Sequence, residues 1–310
     1  MGELTLAASR IYRLFFPYVL DIRVRFLLLS CCILLLTACG KGPQTFRFDN
    51  PTGQALPIQV DGQSHSIPAH AELALELAPG AHTLQTAQLG RVPFIVYADH
   101  DGALVNPTLS DYYWIDEIYW TSTARPREFQ GDGVVEVRGV ALKGRYGQVH
   151  DLFIVKDWDF DVHTPFPENA VGAVDSSGGR RMRKIFAPDD FVAYVESSHD
   201  APGYVAAHQP RDWQPPQRRV TPAAERLPAL PPVMEAHAGP LRALVNAYLH
   251  ATDPAEQQRL RKTYVSTQID FTHATARLFS GLSVDDNKRV NDFVEGIQQI
   301  MNSPALVTGP

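Results

Sequence analysis

Nine of the 24 prolines in this chain fall between Pro202 and Pro240. Proline has no N–H to donate and holds φ near that of an extended or first-turn residue, so a stretch this dense in it excludes helix interiors and central strands. The stretch divides the 310 residues into two parts with different periodicity. Apolar residues recur at a spacing of two before it and at three to four after it. The expected fold class is therefore α+β. An antiparallel, β-sandwich-like N-terminal part over 46–200 is followed by a Pro-rich linker or strap over 201–240 and a C-terminal bundle of three helices over 241–303.

On the β side, Phe46-Arg47-Phe48 alternates as a strand does, and Asn50-Pro51-Thr52-Gly53 is a turn. Ile58-Gln59-Val60 runs into Asp61-Gly62, a dipeptide suited to a two-residue hairpin because both residues tolerate positive φ. Leu73–Leu77, His82–Gln85, Val92–Tyr97 and Ala103–Val105 read as further strands, each ended by Gly, Pro or Asp. Val134–Leu142 and Leu152–Lys156 read as two more, joined through Lys143–Gly147. Gly178–Lys184 reads as a basic surface loop, and Asp189–Tyr194 as a short helix entered at an Asp. On the helical side, Leu241, Leu244, Val245, Tyr248 and Leu249 make one stripe. Asp253-Pro254-Ala255-Glu256 has the residues of a new N-terminus, and Ser283 of a third.

Near the N-terminus, Leu27–Leu36 is an apolar run broken only by Ser30, Cys31 and Cys32. As a helix it would reach ~15 Å, half of a ~30 Å hydrocarbon core. That is short for a span and right for the apolar core of a signal peptide, with Arg23 and Arg25 ahead of it. The run ends in Leu36-Thr37-Ala38-Cys39, which resembles a bacterial lipobox. The resemblance implies that residues 1–38 are a signal peptide, that Cys39 carries the lipid, and that 39–45 is a lipidated tether. Two or three acyl chains anchor far more firmly than one. Gly40 stands where Asp would retain such a protein in the inner membrane, so the implied location is the outer membrane, facing the periplasm. Residues 1–23 are long and apolar for an n-region, and a start at Val24 would remove them.

All three cysteines, Cys31, Cys32 and Cys39, lie in this segment. The body of the chain has no thiol for a disulfide, a Cys-ligated metal or nucleophilic catalysis, and must be stabilised by core burial. Loss of residues 1–38 would leave 24 basic against 32 acidic groups, a net of −8. That balance argues against nucleic acid as a partner.

The piece Ile58-Gln59-Val60-Asp61-Gly62, with the later Pro79-Gly80-Ala81-His82, resembles a PEGA-type β module over about 58–96. The Gly-x-Thr-Pro step usual in that family is replaced by Ile67-Pro68-Ala69. The resemblance implies an extracytoplasmic accessory domain and not a catalyst.

Two stretches carry candidate chemistry. Asp157, Asp159 and Asp161, with Glu168 at the twelfth place, have the ligand spacing of a calcium loop, although Val162 stands where such a loop needs Gly. His150, Asp151 and His163 lie nearby, where they could join an acid–base or zinc site. Tyr112-Tyr113-Trp114-Ile115-Asp116-Glu117-Ile118-Tyr119-Trp120 is the densest aromatic run. It reads as a strand packed between two layers, or as a partner surface made by Tyr112, Trp114 and Trp120. The chain has no GxSxG, HExxH or Walker loop. The function expected is that of a membrane-anchored lipoprotein, a non-enzymatic binding module of envelope-accessory or toxin-immunity type. Its partners are the lipid bilayer and another envelope or exported protein. The alternatives are a periplasmic hydrolase or metal-binding protein with its site at Asp157–His163, and a structural envelope lipoprotein.

Overall fold

A computed structural model describes residues 42–120, 133–166 and 179–309. The signal segment, Cys39, the Val24 start and Glu168 lie outside the described residues. From Pro43 onward the chain is one compact unit, an α+β fold with a β-rich first part and a helical last part.

Nine of the described strands make two facing sheets. The first has β1 (Gln44–Asn50), β4 (Ala71–Leu77), β7 (Ala103–Val105) and β12 (Phe153–Val155) in the order β12-β7-β1-β4. The second has β2 (Leu56–Val60), β3 (Gln63–Ile67), β5 (Gly80–Thr86), β6 (Gly90–Val96) and β14 (Ala305–Val307), ordered β14-β6-β5-β2-β3. Pairing is antiparallel except between β1 and β7. Side chains one apart in a strand face opposite ways, and this sends Phe46, Phe48, Leu84, Val92, Phe94, Val96 and Val105 into a shared core between the sheets. The Asp61-Gly62 hairpin is present, with φ of 51° and 80°.

The odd-face residues of the same strands serve other layers. Ile95, Tyr97 and Leu306 point away from the sandwich, toward the helices α3 (Pro232–His250), α4 (Pro254–Thr275) and α5 (Val284–Asn302). Leu104 and Ile154 point toward a third sheet, where β8 (Tyr112–Trp120) lies between β11 (Tyr146–Val149) and β13 (Gly179–Phe186). The far face of that sheet, through Tyr113, Ile115 and Phe186, packs on the hairpin of β9 (Gly133–Val137) and β10 (Val140–Gly144) and on α1 (Pro188–Ser198) and α2 (Tyr204–His208). Helices, three sheets and a cover of hairpin and helix thus share alternating strand faces.

Four expectations need correction. Val134–Leu142 is two strands, because Arg138 and Gly139 both take positive φ, 52° and 79°, and turn the chain back. Lys143–Gly147 is no simple connection, since Tyr146 begins β11. Gly178–Lys184 is no loop: from Gly179 it is β13, paired with β8 over eight residues. The first C-terminal helix starts at Pro232, not 241, and passes through Pro240. Proline at the first helical position costs no hydrogen bond, and extension to Met234 and Ala238 lengthens the buried stripe. That burial outweighs the one N–H missing at Pro240. The other two helix starts are as expected, with Asp253 accepting from Glu256 N at 2.9 Å and Ser283 from Asp286 N at 3.1 Å.

The Pro-rich segment lies along the β body. Arg218 pairs with Asp111 at 2.8 Å and donates to the Leu109 carbonyl, and Arg226 pairs with Asp151 at 2.9 Å.

Candidate functional site

The acidic segment and the basic segment are each other's partner. Asp157–His163 runs along the outer edge of β13. The amides of Asp159 and Phe160 donate to the Arg183 carbonyl at 2.9 and 3.1 Å, and Ile185 N donates to the Phe160 carbonyl at 3.2 Å. The Asp159 carboxylate accepts from Arg183 N at 2.9 Å.

Two cations then tie the segment down. The Arg183 guanidinium forks onto Asp116 at 2.7 and 2.9 Å, reaches Asp157, and lies 5.1 Å over the Trp114 ring. Lys184 is 5% exposed, and its ammonium donates to the carbonyls of Asp161 and Val162 at 2.9 Å and of Ile185 at 3.3 Å. Burial pushes the Lys184 amine down to about 8, against the opposing pull of Asp190 and Asp161. Trp158 is buried beside Tyr112, Val162 and Ile185, and donates its indole N–H to Asp161 at 2.7 Å.

Beyond Val162 the chain delivers His163 to Asp49. Nε2 of His163 lies 2.7 Å from one oxygen of Asp49, and the Tyr112 hydroxyl donates to the other. Asp49 is wholly buried at the end of β1 while His163 is exposed. Burial, with the Asp49 charge beside it, pushes the Tyr112 hydroxyl well up, so it stays a donor. The arrangement orients the imidazole and leaves it open to solvent.

Two adjoining clefts of about 430 and 440 Å³ open beside this segment and share Asp101, Gly102, Lys156 and Trp158. Two ion pairs stand on their walls, Arg47 with Glu72 and Lys156 with Asp161 at 3.5 Å; Asp101, Asp157 and Asp159 add further carboxylates, of which Asp157 is held from behind by Arg183. Gly102 has φ +83°, and a Cβ there would overlap the Thr45 carbonyl oxygen, so the floor admits only glycine.

The structure sorts the residues singled out in the sequence. Asp157, Asp159 and Asp161 lie on one short segment but turn to different partners, and no three His, Cys, Asp or Glu side chains among the described residues gather as a metal site. His150 and Asp151 do not join His163; they face Asp111 and Arg226. Tyr112 offers no partner surface, because it is fully buried on the face of β8 that meets the sandwich. Trp114 is partly covered by Arg183. Trp120 ends β8, and its side chain lies outside the described residues. Asp49 and Asp116 carry the site yet have no local signal, since each works through a residue far along the chain. Arg183 and Lys184 were visible only as members of a basic run.

Fold and site together define a class: an α+β protein whose helices and third sheet flank a β-sandwich, with a charge-paired cleft at one side. No family model, curated protein or solved structure matches the chain.

Proposed function

We propose that this chain is a lipoprotein anchored through Cys39 in the outer membrane, facing the periplasm, and that it binds another envelope or exported protein without catalysis. The observation that carries the binding reading is the pairing of charge at the cleft. Arg47–Glu72 and Lys156–Asp161 set opposite signs side by side on a surface already ordered before any partner arrives. Such patterning favours specific association and discriminates against mismatched surfaces. The lipobox resemblance supports the anchor, as does the confinement of all three cysteines to residues 31–39. The PEGA-like hairpin supports an accessory role.

The test is capture from envelope extract by the full chain held in detergent. A stoichiometric partner should be recovered by the wild-type protein and lost with Lys156→Glu. Recovery indifferent to that reversal sinks the proposed surface, and repeated recovery of nothing sinks the binding role. Mass spectrometry of the N-terminal peptide checks the anchor: Cys39→Ser should move the protein from the membrane to the soluble fraction.

One observation favours a second reading, a hydrolase. The exposed His163 held by buried Asp49 has the form of an acid–base pair. His163→Gln separates the two readings, because it abolishes hydrolysis in an enzyme and leaves partner capture intact in a binding module.

A further inference from the structure

Away from the two clefts at Lys156, the edge of the five-stranded sheet carries a further cleft of about 320 Å³. It lies between β6, β14 and the Pro-rich segment. Its cations are Arg91, Arg218 and Arg219, and its one carboxylate is Glu225. This local excess of positive charge sits on a chain whose net charge is −6.

The three guanidiniums differ in what already occupies them. Arg218 is committed to Asp111 and to the Leu109 carbonyl. Arg219 touches Glu225 at 3.3 Å but is largely exposed. Arg91 has no ion-pair or hydrogen-bond partner among the described residues. Leu89, Pro93, Val220 and Pro222 add apolar wall.

The strand beside the cleft, β14, is the outermost of its sheet and nearly buried, with Val307 7% exposed. Tyr97 N donates to the Pro304 carbonyl at 2.9 Å and Thr308 N to the Pro93 carbonyl at 3.3 Å. In an antiparallel pair the bonded positions alternate, so Pro304, Leu306 and Thr308 face β6. Val307 then turns its own N–H and C=O away from β6, at the margin of the sheet, and Val307 lines the cleft.

We infer that this cleft binds an extended acidic peptide segment, with its backbone on Val307 and its carboxylates on Arg91 and Arg219. A backbone donor and acceptor at a sheet edge suit strand addition, and apolar wall beside guanidinium suits a segment alternating apolar and acidic side chains. The inference rests on the protein-binding reading only in taking a peptide as occupant, and it uses a different surface.

The test is fluorescence anisotropy of a labelled hexapeptide alternating Val and Glu, titrated with the full chain. Saturable binding is expected, weakening with salt. Arg91→Glu and Arg219→Glu should each weaken it about tenfold or more. Both side chains are exposed, and circular dichroism confirms that the variants fold; Arg91→Ala and Arg219→Ala, with smaller losses, repeat the test without added charge. Equal affinity for a hexapeptide alternating Val and Lys overturns the inference, as does unchanged binding by the variants. Binding of inorganic phosphate or of anionic vesicles in place of the peptide overturns it in favour of a plain anion or membrane site. Loss with Lys156→Glu and not with Arg91→Glu places the peptide in the other cleft and overturns it too. A captured partner in the envelope experiment, with no peptide bound here, leaves the binding role standing without this cleft.

Discussion

Replacing Lys184 by Met should change how stability depends on pH, and the amount follows from the structure. The amine falls from an ordinary 10.5 in the unfolded chain to about 8 in the folded one, because burial disfavours its charge. Between those two values the unfolded state binds the proton and the folded state does not. Stability contributed by this group therefore rises with pH through that window, by up to 1.36 kcal/mol per unit, about. Below pH 8 both states carry the charge, and the folded state bears its full desolvation cost. Integration from pH 7.5 to 9.5 gives a gain of about 2 kcal/mol for the wild type that the Met variant lacks.

The variant also loses three donated hydrogen bonds, to Asp161, Val162 and Ile185. That loss is common to both pH values and costs about 1–3 kcal/mol per carbonyl left without a donor, less whatever water reaches them, and is set against the desolvation cost that Met does not carry. Urea unfolding at the two pH values measures both quantities. Tyrosine ionisation affects wild type and variant alike and cancels in the double difference. The stability of the wild type minus that of the variant should rise by about 2 kcal/mol on going to pH 9.5. A difference that stays constant, or that falls, refutes the account of Lys184 as a buried cation.

Arg183→Gln should cost about 2–4 kcal/mol in urea unfolding, because it leaves the partly buried Asp116 carboxylate with only the looser Arg181 at 3.6 Å and uncovers Trp114; a loss under 1 kcal/mol, about the worth of a surface pair, would contradict its role as the tie. Gly147→Ala should cost about 1–3 kcal/mol and shift the tryptophan fluorescence, since a Cβ there overlaps the Trp114 ring. An unchanged spectrum would mean the ring is not seated against β11. Tyr112→Phe should cost about 1–3 kcal/mol, as it leaves one oxygen of the buried Asp49 without its donor; thermal unfolding checks it.

Hairpins, caps and the segregation into β and α parts were legible because each rests on a few adjacent residues. Asp61-Gly62 announces a turn by its own φ preference, and Asp253 and Ser283 reach backbone amides three residues away. The acidic run and the basic run were also visible, but not their meeting. Arg183 finds Asp116 only because β13 pairs with β8 in a register that no local pattern encodes. A strand reading Gly-Arg-Arg-Met-Arg-Lys-Ile-Phe breaks the usual apolar alternation, because Lys184 is buried among carbonyls instead of exposed. Asp49 falls between the Phe46–Phe48 alternation and the Asn50 turn with no pattern of its own, and its worth depends on Tyr112 and His163, distant in sequence. At β14 three residues are too few to show a period.

That last strand sets the order in which the molecule can finish. Its partner β6, reading Arg91-Val92-Pro93-Phe94-Ile95-Val96, is made some two hundred residues earlier. Throughout the interval in synthesis between them, β6 presents a bare and greasy margin to whatever other chains are near. Such a margin invites pairing with a stranger, and Pro93 alone blunts it. A chain halted anywhere before Ala305 would leave that invitation open, so a holding factor or a rapid docking of the helices over Ile95 and Tyr97 would matter most during that wait.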